Sequence, residues 1–185
     1  MPMENLTLWT IGHSTRSLSE FLDLLKPFQI EALADVRRFP MSRRYPHFNQ
    51  DALTKALAEA SIEYVHFPEL GGRRQPDPNS RNSLWRNASF RAYADFMETE
   101  EFRLGLERLL ELARRKRTAI MCAEAVWWRC HRSLIADYLK AAGIKVCHIV
   151  SAKKSEEHPF TSAARLQEGK LSYTPSSGQS LWPEK

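Results

Sequence analysis

Leu6-Thr7-Leu8-Trp9-Thr10-Ile11-Gly12-His13-Ser14 is the stretch on which the fold turns. A run of β-branched, aromatic and aliphatic residues halted by glycine reads as a buried strand followed by a turn. Ser17-Leu18-Ser19-Glu20 has capping-box spacing, and Leu18, Phe21, Leu22 and Leu25 then recur at helical period up to Pro27. The same unit repeats downstream. Ile30 to Val36 reads as a second strand running into Arg37-Arg38-Phe39-Pro40. Asn49 is placed to cap a helix with Leu53, Ala56, Leu57 and Ala60 on one face, and Ile62 to Phe67 alternates as a strand.

Further along, Pro68 to Ala88 shifts to Gly, Pro, Asn, Ser and Arg, the composition of a long and therefore functionally interesting surface loop. Phe90 to Glu98 and Glu101 to Lys116 carry helical patterns. Thr118 to Cys122 is a short apolar strand, Ser133 to Ala142 a helix ending at Gly143, and Ile144 to Val150 a last strand. Strands separated by helices predict a mostly parallel sheet with both faces covered. The expectation is an α/β fold: one doubly wound domain over residues 1–150 with about five strands, Rossmann-like without a dinucleotide fingerprint. Residues 151–185, polar and marked by Pro159, Pro175 and Pro183, are expected to form an extended C-terminal tail packed on that domain.

The chain has 185 residues, 43% hydrophobic and 26% charged, which suits a single globular unit. A mean hydropathy of -0.47 and short apolar runs offer no membrane-spanning helix, so no membrane partner is expected. Met1-Pro2-Met3-Glu4-Asn5 has neither a basic start nor an apolar stretch, and the default location is cytoplasmic. Three cysteines, Cys122, Cys130 and Cys147, are too few and too unevenly spaced for a disulfide framework, and read as free thiols. A net charge of +5 favours an anionic small molecule or nucleic acid as partner. Nothing in the pattern fixes an oligomeric state.

Ligands of open parallel sheets bind beyond the carboxyl ends of the strands. There the sequence places Gly12-His13-Ser14, Asp35-Val36-Arg37, Glu69-Leu70-Gly71-Gly72 and Cys122-Ala123-Glu124. The segment from Cys122 to Arg132 is the densest, with Glu124, Arg129, Cys130, His131 and Arg132 between a strand and a helix. A thiol at a helix start beside arginine is drawn toward thiolate, so either cysteine is a candidate nucleophile, or both are small hydrophobes filling gaps. Six residues between Cys122 and Arg129, with no glycine among Ala125-Val126-Trp127-Trp128, depart from the five-residue loop of cysteine phosphatases. Zinc has legitimate ligands in Cys122, Cys130 and His131 but lacks paired spacing and a fourth ligand, and no cofactor is expected.

Around these thiols, His13, Glu124 and Asp35 are acid/base candidates. Asp35 and Arg37 could equally form an ion pair that positions the loop. Arg37, Arg38, Arg43 and Arg44 interleave with Phe39, Tyr45, His47 and Phe48, a mixture suited to phosphates and stacked bases or simply to solvated surface. Trp127-Trp128 reads as a stacking surface or as a plug under the loop.

Taken in order, Gly12-His13-Ser14, Asp35-Val36-Arg37 with Pro40 and Ser42, Leu70-Gly71-Gly72, and Cys122-Ala123-Glu124 followed by Cys130-His131-Arg132 resemble the domain-of-unknown-function 488 family. His158-Pro159, Gly169 and Tyr173 resemble that family's ending. The resemblance implies a small bacterial or archaeal α/β protein and brings no established activity. Two functions are therefore expected as alternatives. One is an enzyme acting on a nucleotide, nucleic acid or other phosphorylated ligand, with Cys122, Cys130, Glu124, His13 and Asp35 as catalytic candidates. Ser14, Arg37, Ser42, Arg43, Gly71, Gly72, His131 and Arg132 would bind the ligand. The other is a non-catalytic nucleotide- or nucleic-acid-binding module using the same basic and aromatic loops.

Overall fold

The computed structural model describes residues 5–176. A six-stranded sheet runs in the order β3-β2-β4-β1-β5-β6. Its members are β1 (Thr7–Gly12), β2 (Ala32–Asp35), β3 (Glu63–His66), β4 (Thr118–Cys122), β5 (Lys145–Ser151) and β6 (Lys154–Glu157). The first five strands are parallel to their neighbours, and β6 pairs antiparallel with β5. Interleaved helices are α1 (Leu18–Leu25), α2 (Gln50–Glu59), α3 (Ala88–Phe96), α4 (Glu100–Arg115) and α5 (Arg132–Ala141). This is the doubly wound α/β architecture that the alternation predicts. No helix among the described residues is long and apolar enough to cross a membrane.

Strand alternation divides the core in two. Trp9, Ile11, Leu33 and Met121 face Phe21 and Leu25 of α1 and Leu53 and Leu57 of α2. Leu8, Ala34, Ile120 and Val146 face the opposite way, toward α4 and α5. The helices after β1 and β2 thus cover one face and those after β3 and β4 the other. Since β4 lies between β2 and β1, the connections at its carboxyl end diverge on both sides, which opens a crevice at the switch point.

Local sequence carries most of these elements. Ser17 Oγ accepts from Glu20 N at 3.1 Å while Glu20 reaches back to Ser17 N at 2.8 Å, the capping box its spacing implies. Gly143 ends α5 with φ +84. Asn49 occupies the N-cap of α2 but makes no side-chain cap bond; its Oδ1 accepts instead from Ser42 N at 2.6 Å and ties down the loop after β2. Gly12 is required by close approach: a Cβ there would overlap the Glu124 carbonyl.

The segment beyond Ser151 is structured as far as it is described. Its first strand, Lys-Ser-Glu-Glu, is an exposed edge whose charges suit an unpaired border, and β7 (Arg165–Gln167) and β8 (Lys170–Ser172) form a small hairpin. Asp137 of α5 anchors it. That fully buried carboxylate accepts from His158 Nε2 at 2.8 Å, Thr161 N at 2.9 Å, Thr161 Oγ1 at 2.5 Å and Tyr173 OH at 2.8 Å. Residues 177–185 of the expected tail lie outside the described residues.

Candidate functional site

A cleft of about 610 Å³ opens at the carboxyl ends of β1, β2 and β4. It gathers Cys122 from the end of β4, Glu124, Cys130 and His131 from the loop between β4 and α5, and His13 and Ser14 from just beyond β1. Arg37 and Ser42 come from the loop after β2, and Gly72 from the long loop after β3. Four other candidates do not line it. Asp35 and Arg132 are buried behind its walls, Arg43 is exposed outside it, and Gly71 packs against Arg38, whose backbone a Cβ would meet at 2.8 Å.

One wall is an ion-pair cluster. Asp35 Oδ1 accepts from Arg37 N at 3.0 Å and Nε at 2.9 Å; Oδ2 accepts from Arg37 Nη2 at 2.7 Å and Tyr64 OH at 2.5 Å. With four bonds and full burial, this carboxylate fixes the guanidinium and leaves Arg37 Nη1 directed at His13 Nε2, 3.4 Å away. His13 donates from Nδ1 to the Ser14 carbonyl at 2.9 Å, so its Nε2 carries the lone pair. Its ring stacks on Phe48 with centroids 4.3 Å apart. Burial, reinforced by the Arg37 charge, lowers its pKa to about 4, and the imidazole stays neutral at physiological pH.

The other wall holds the thiols. Cys122 ends β4 and Cys130 lies two residues before α5 begins, and their sulfurs are 2.7 Å apart. Burial pushes the Cys122 thiol up. Burial acts on Cys130 in the same sense but is outweighed by the hydrogen bond with Cys122, the Arg132 charge and the Arg132 N–H, which points at the sulfur from 3.4 Å. The result is a pKa lowered to about 7. His131 Nε2 donates to the Val36 carbonyl at 3.1 Å, which turns the lone pair of Nδ1 toward Cys130 Sγ at 3.5 Å. Burial lowers the His131 pKa, so this imidazole is neutral and able to take a proton. Gly72 makes room for it, since a Cβ there would stand 3.2 Å from Nδ1.

Behind the thiols runs a buried polar chain that sequence reasoning does not supply. Arg132 Nη2 donates to the Glu124 carbonyl at 2.8 Å, shaping the loop, and Nη1 donates to Thr10 Oγ1 at 3.2 Å. Thr10 bonds His148 Nδ1 at 2.6 Å, His148 Nε2 bonds His158 Nδ1 at 2.9 Å, and His158 ends on Asp137. Trp127 stacks on His148 at 4.5 Å and is therefore a plug, whereas Trp128 is 54% exposed. The available signal is Thr10 and His148, polar residues flanked by apolar ones in the middle of β1 and β5.

The mouth of the cleft is cationic. Of the described residues lining it, Arg37, Arg38, Arg73 and Arg129 carry positive charge, with Arg37 paired to Asp35, and Glu124 is the one carboxylate. Phe39 and Met41, 63% and 80% exposed, stand at its rim. Ser14 and Arg73 hold left-handed backbone with φ +51 and +61, a costly conformation for residues with side chains. No three His, Cys, Asp or Glu side chains among the described residues are grouped to hold a metal ion.

No curated protein and no solved structure gives a significant match to the chain. A family model described as Domain of unknown function DUF488 matches residues 17–139, a span that includes Asp35, Arg37, both cleft cysteines and Arg132. That span exceeds half of the chain and takes in the motifs from Asp35-Val36-Arg37 to Cys130-His131-Arg132, and the chain belongs to the DUF488 family.

Proposed function

We propose that the protein is a thiol-dependent enzyme acting on a nucleotide, nucleic acid or other phosphorylated ligand. The observation that carries this reading is an acidified Cys130 in a cleft where four arginines outnumber one carboxylate. Arg38, Arg73 and Arg129 bind the anion, and Arg37, held by Asp35, fixes the wall beside them. As Cys130 Sγ bonds to the electrophilic atom, its proton passes to His131 Nδ1. The imidazolium then returns that proton to the leaving group as the bond to that group cleaves. Glu124 and His13 stand on the same cleft as further proton carriers.

The alternative, a binding module with passive thiols, draws on exposed Phe39 and Met41 beside arginines, a surface on which bases stack. Site-resolved alkylation by iodoacetamide, followed by mass spectrometry, separates the two. The enzyme reading expects a Cys130 inflection near pH 7 and protection by inorganic phosphate or adenosine monophosphate. An inflection at the ordinary thiol value of about 8.5 without protection overturns it. Salt-dependent binding of a single-stranded oligonucleotide that survives Cys130→Ser would then favour the module.

A further inference from the structure

Two thiols in contact at the floor of a cleft have a chemistry of their own. The separation of 2.7 Å between Cys122 and Cys130 sulfurs is under an ångström longer than a disulfide of about 2.05 Å. Both line the cleft, with Cys130 7% and Cys122 2% exposed. Between them, Ala123, Glu124, Ala125, Trp128 and Arg129 are exposed, and such a loop can follow a small movement of Cys130. The third thiol is separate: Cys147 belongs to the core on the other face of the sheet. A neutral His131 lone pair at 3.5 Å from Cys130 completes the set.

We propose that Cys122 and Cys130 form a dithiol–disulfide couple that reduces hydroperoxides, with Cys130 as the attacking and Cys122 as the resolving sulfur. In the first step Cys130 thiolate bonds to the terminal peroxide oxygen, the O–O bond cleaves, and the departing alkoxide takes a proton from water. Cys130 becomes a sulfenic acid, oxidised by two electrons, and the peroxide becomes an alcohol. In the second step Cys122 sulfur bonds to Cys130 sulfur and the hydroxyl leaves with the Cys122 proton as water. A small dithiol reductant restores both thiols and is itself oxidised to a disulfide. The assignment of roles follows position: Cys130 sits at the start of α5 with the Arg132 N–H on its sulfur, whereas Cys122 is enclosed at the end of a central strand. This couple shares Cys130 with the reading above but requires no anionic substrate. While the disulfide is closed, the nucleophile of that reading is masked.

The test uses the full chain, titrated with hydrogen peroxide and digested without reduction for mass spectrometry. The expected result is the loss of two hydrogens per chain, a Cys122–Cys130 linked peptide, an unmodified Cys147, and full reversal by dithiothreitol. In Cys122→Ser the sulfenic acid should persist at Cys130 and be trapped by dimedone. Wild-type mapping decides the matter even if that variant folds poorly. Direct passage of wild-type Cys130 to sulfinic acid, a first linkage through Cys147, or thiols no more reactive than free cysteine would overturn the couple. Phosphate protection without a disulfide sinks only this inference, and a disulfide without phosphate protection sinks only the enzyme reading above.

Discussion

The two walls of the cleft are built from similar materials, buried charged and polar side chains, and differ in how much bonding capacity each has left. On the β2 side Asp35 has four donors, and Arg37 also gives Nη2 to the Phe48 carbonyl at 2.8 Å. Burial, then the Asp35 charge, pushes the Tyr64 hydroxyl pKa up and keeps it a donor to that carboxylate. On the β4 side two sulfurs share one close contact, His131 Nδ1 has only a sulfur within reach, and the Arg132 Nε is buried without a partner. A saturated cluster holds shape, because any change leaves a buried charge unpaired. An unsaturated one holds reactivity, because its groups still have protons and lone pairs to exchange.

The largest expected effect falls on the saturated wall. Asp35→Asn strands the Arg37 guanidinium and should cost about 3–5 kcal/mol in urea or thermal unfolding, while Cys130 in the folded fraction keeps its alkylation inflection. Cys130→Ser should do the reverse: a cost within about 2 kcal/mol, with reactivity in the neutral range abolished. Equal destabilisation by the two would show that both walls are structural. Between these extremes lies Arg132→Gln. It withdraws the cation nearest Cys130 and should move its inflection upward by at least about one pH unit, or about 1.4 kcal/mol. An inflection that stays near pH 7 would transfer the acidification to Cys122 or to the helix start.

How much of this was legible in the sequence depended on range. The strands, the Ser17–Glu20 box and the Gly143 stop are local and were readable from spacing alone. The strand-end rule places His13, Arg37 and Cys122 at one edge, because parallel topology forces carboxyl ends together. Sequence spacing could not say that Arg132 is buried behind the loop rather than exposed as a clamp, since its partners are Thr10 and the Glu124 carbonyl. Nor could it say that Asn49 would leave its helix for Ser42. The edge strand Lys154–Glu157 escaped because its stability comes from pairing with β5 and not from an apolar face. The Asp137 anchor escaped because it joins residues more than twenty positions apart through side chains with no periodic signature.

The remaining expected effects are in the pH dependence of stability, where Cys130 and the buried histidines should act in separate windows. Cys130 has a folded pKa of about 7, below the ordinary thiol value of about 8.5. Its contribution is therefore fully present above that ordinary value and lost as pH falls through about 7. Cys122, raised by burial, stays protonated in the fold while the unfolded thiol ionises near its ordinary value, so it opposes that gain at the alkaline end of the range. His13, lowered from 6.5 to about 4, is neutral in the fold where the unfolded chain already binds a proton. Stability should fall again as pH drops from 6.5 toward 4, with His148 at about 2 and His131 acting in the same direction. Urea midpoints against pH should show both slopes. Cys130→Ser should flatten only the upper slope, and His13→Gln should weaken only the lower. If one substitution altered both, the walls would titrate as a single cluster, and the bond from His131 Nε2 to the Val36 carbonyl, 3.1 Å long, would be the contact that joins them.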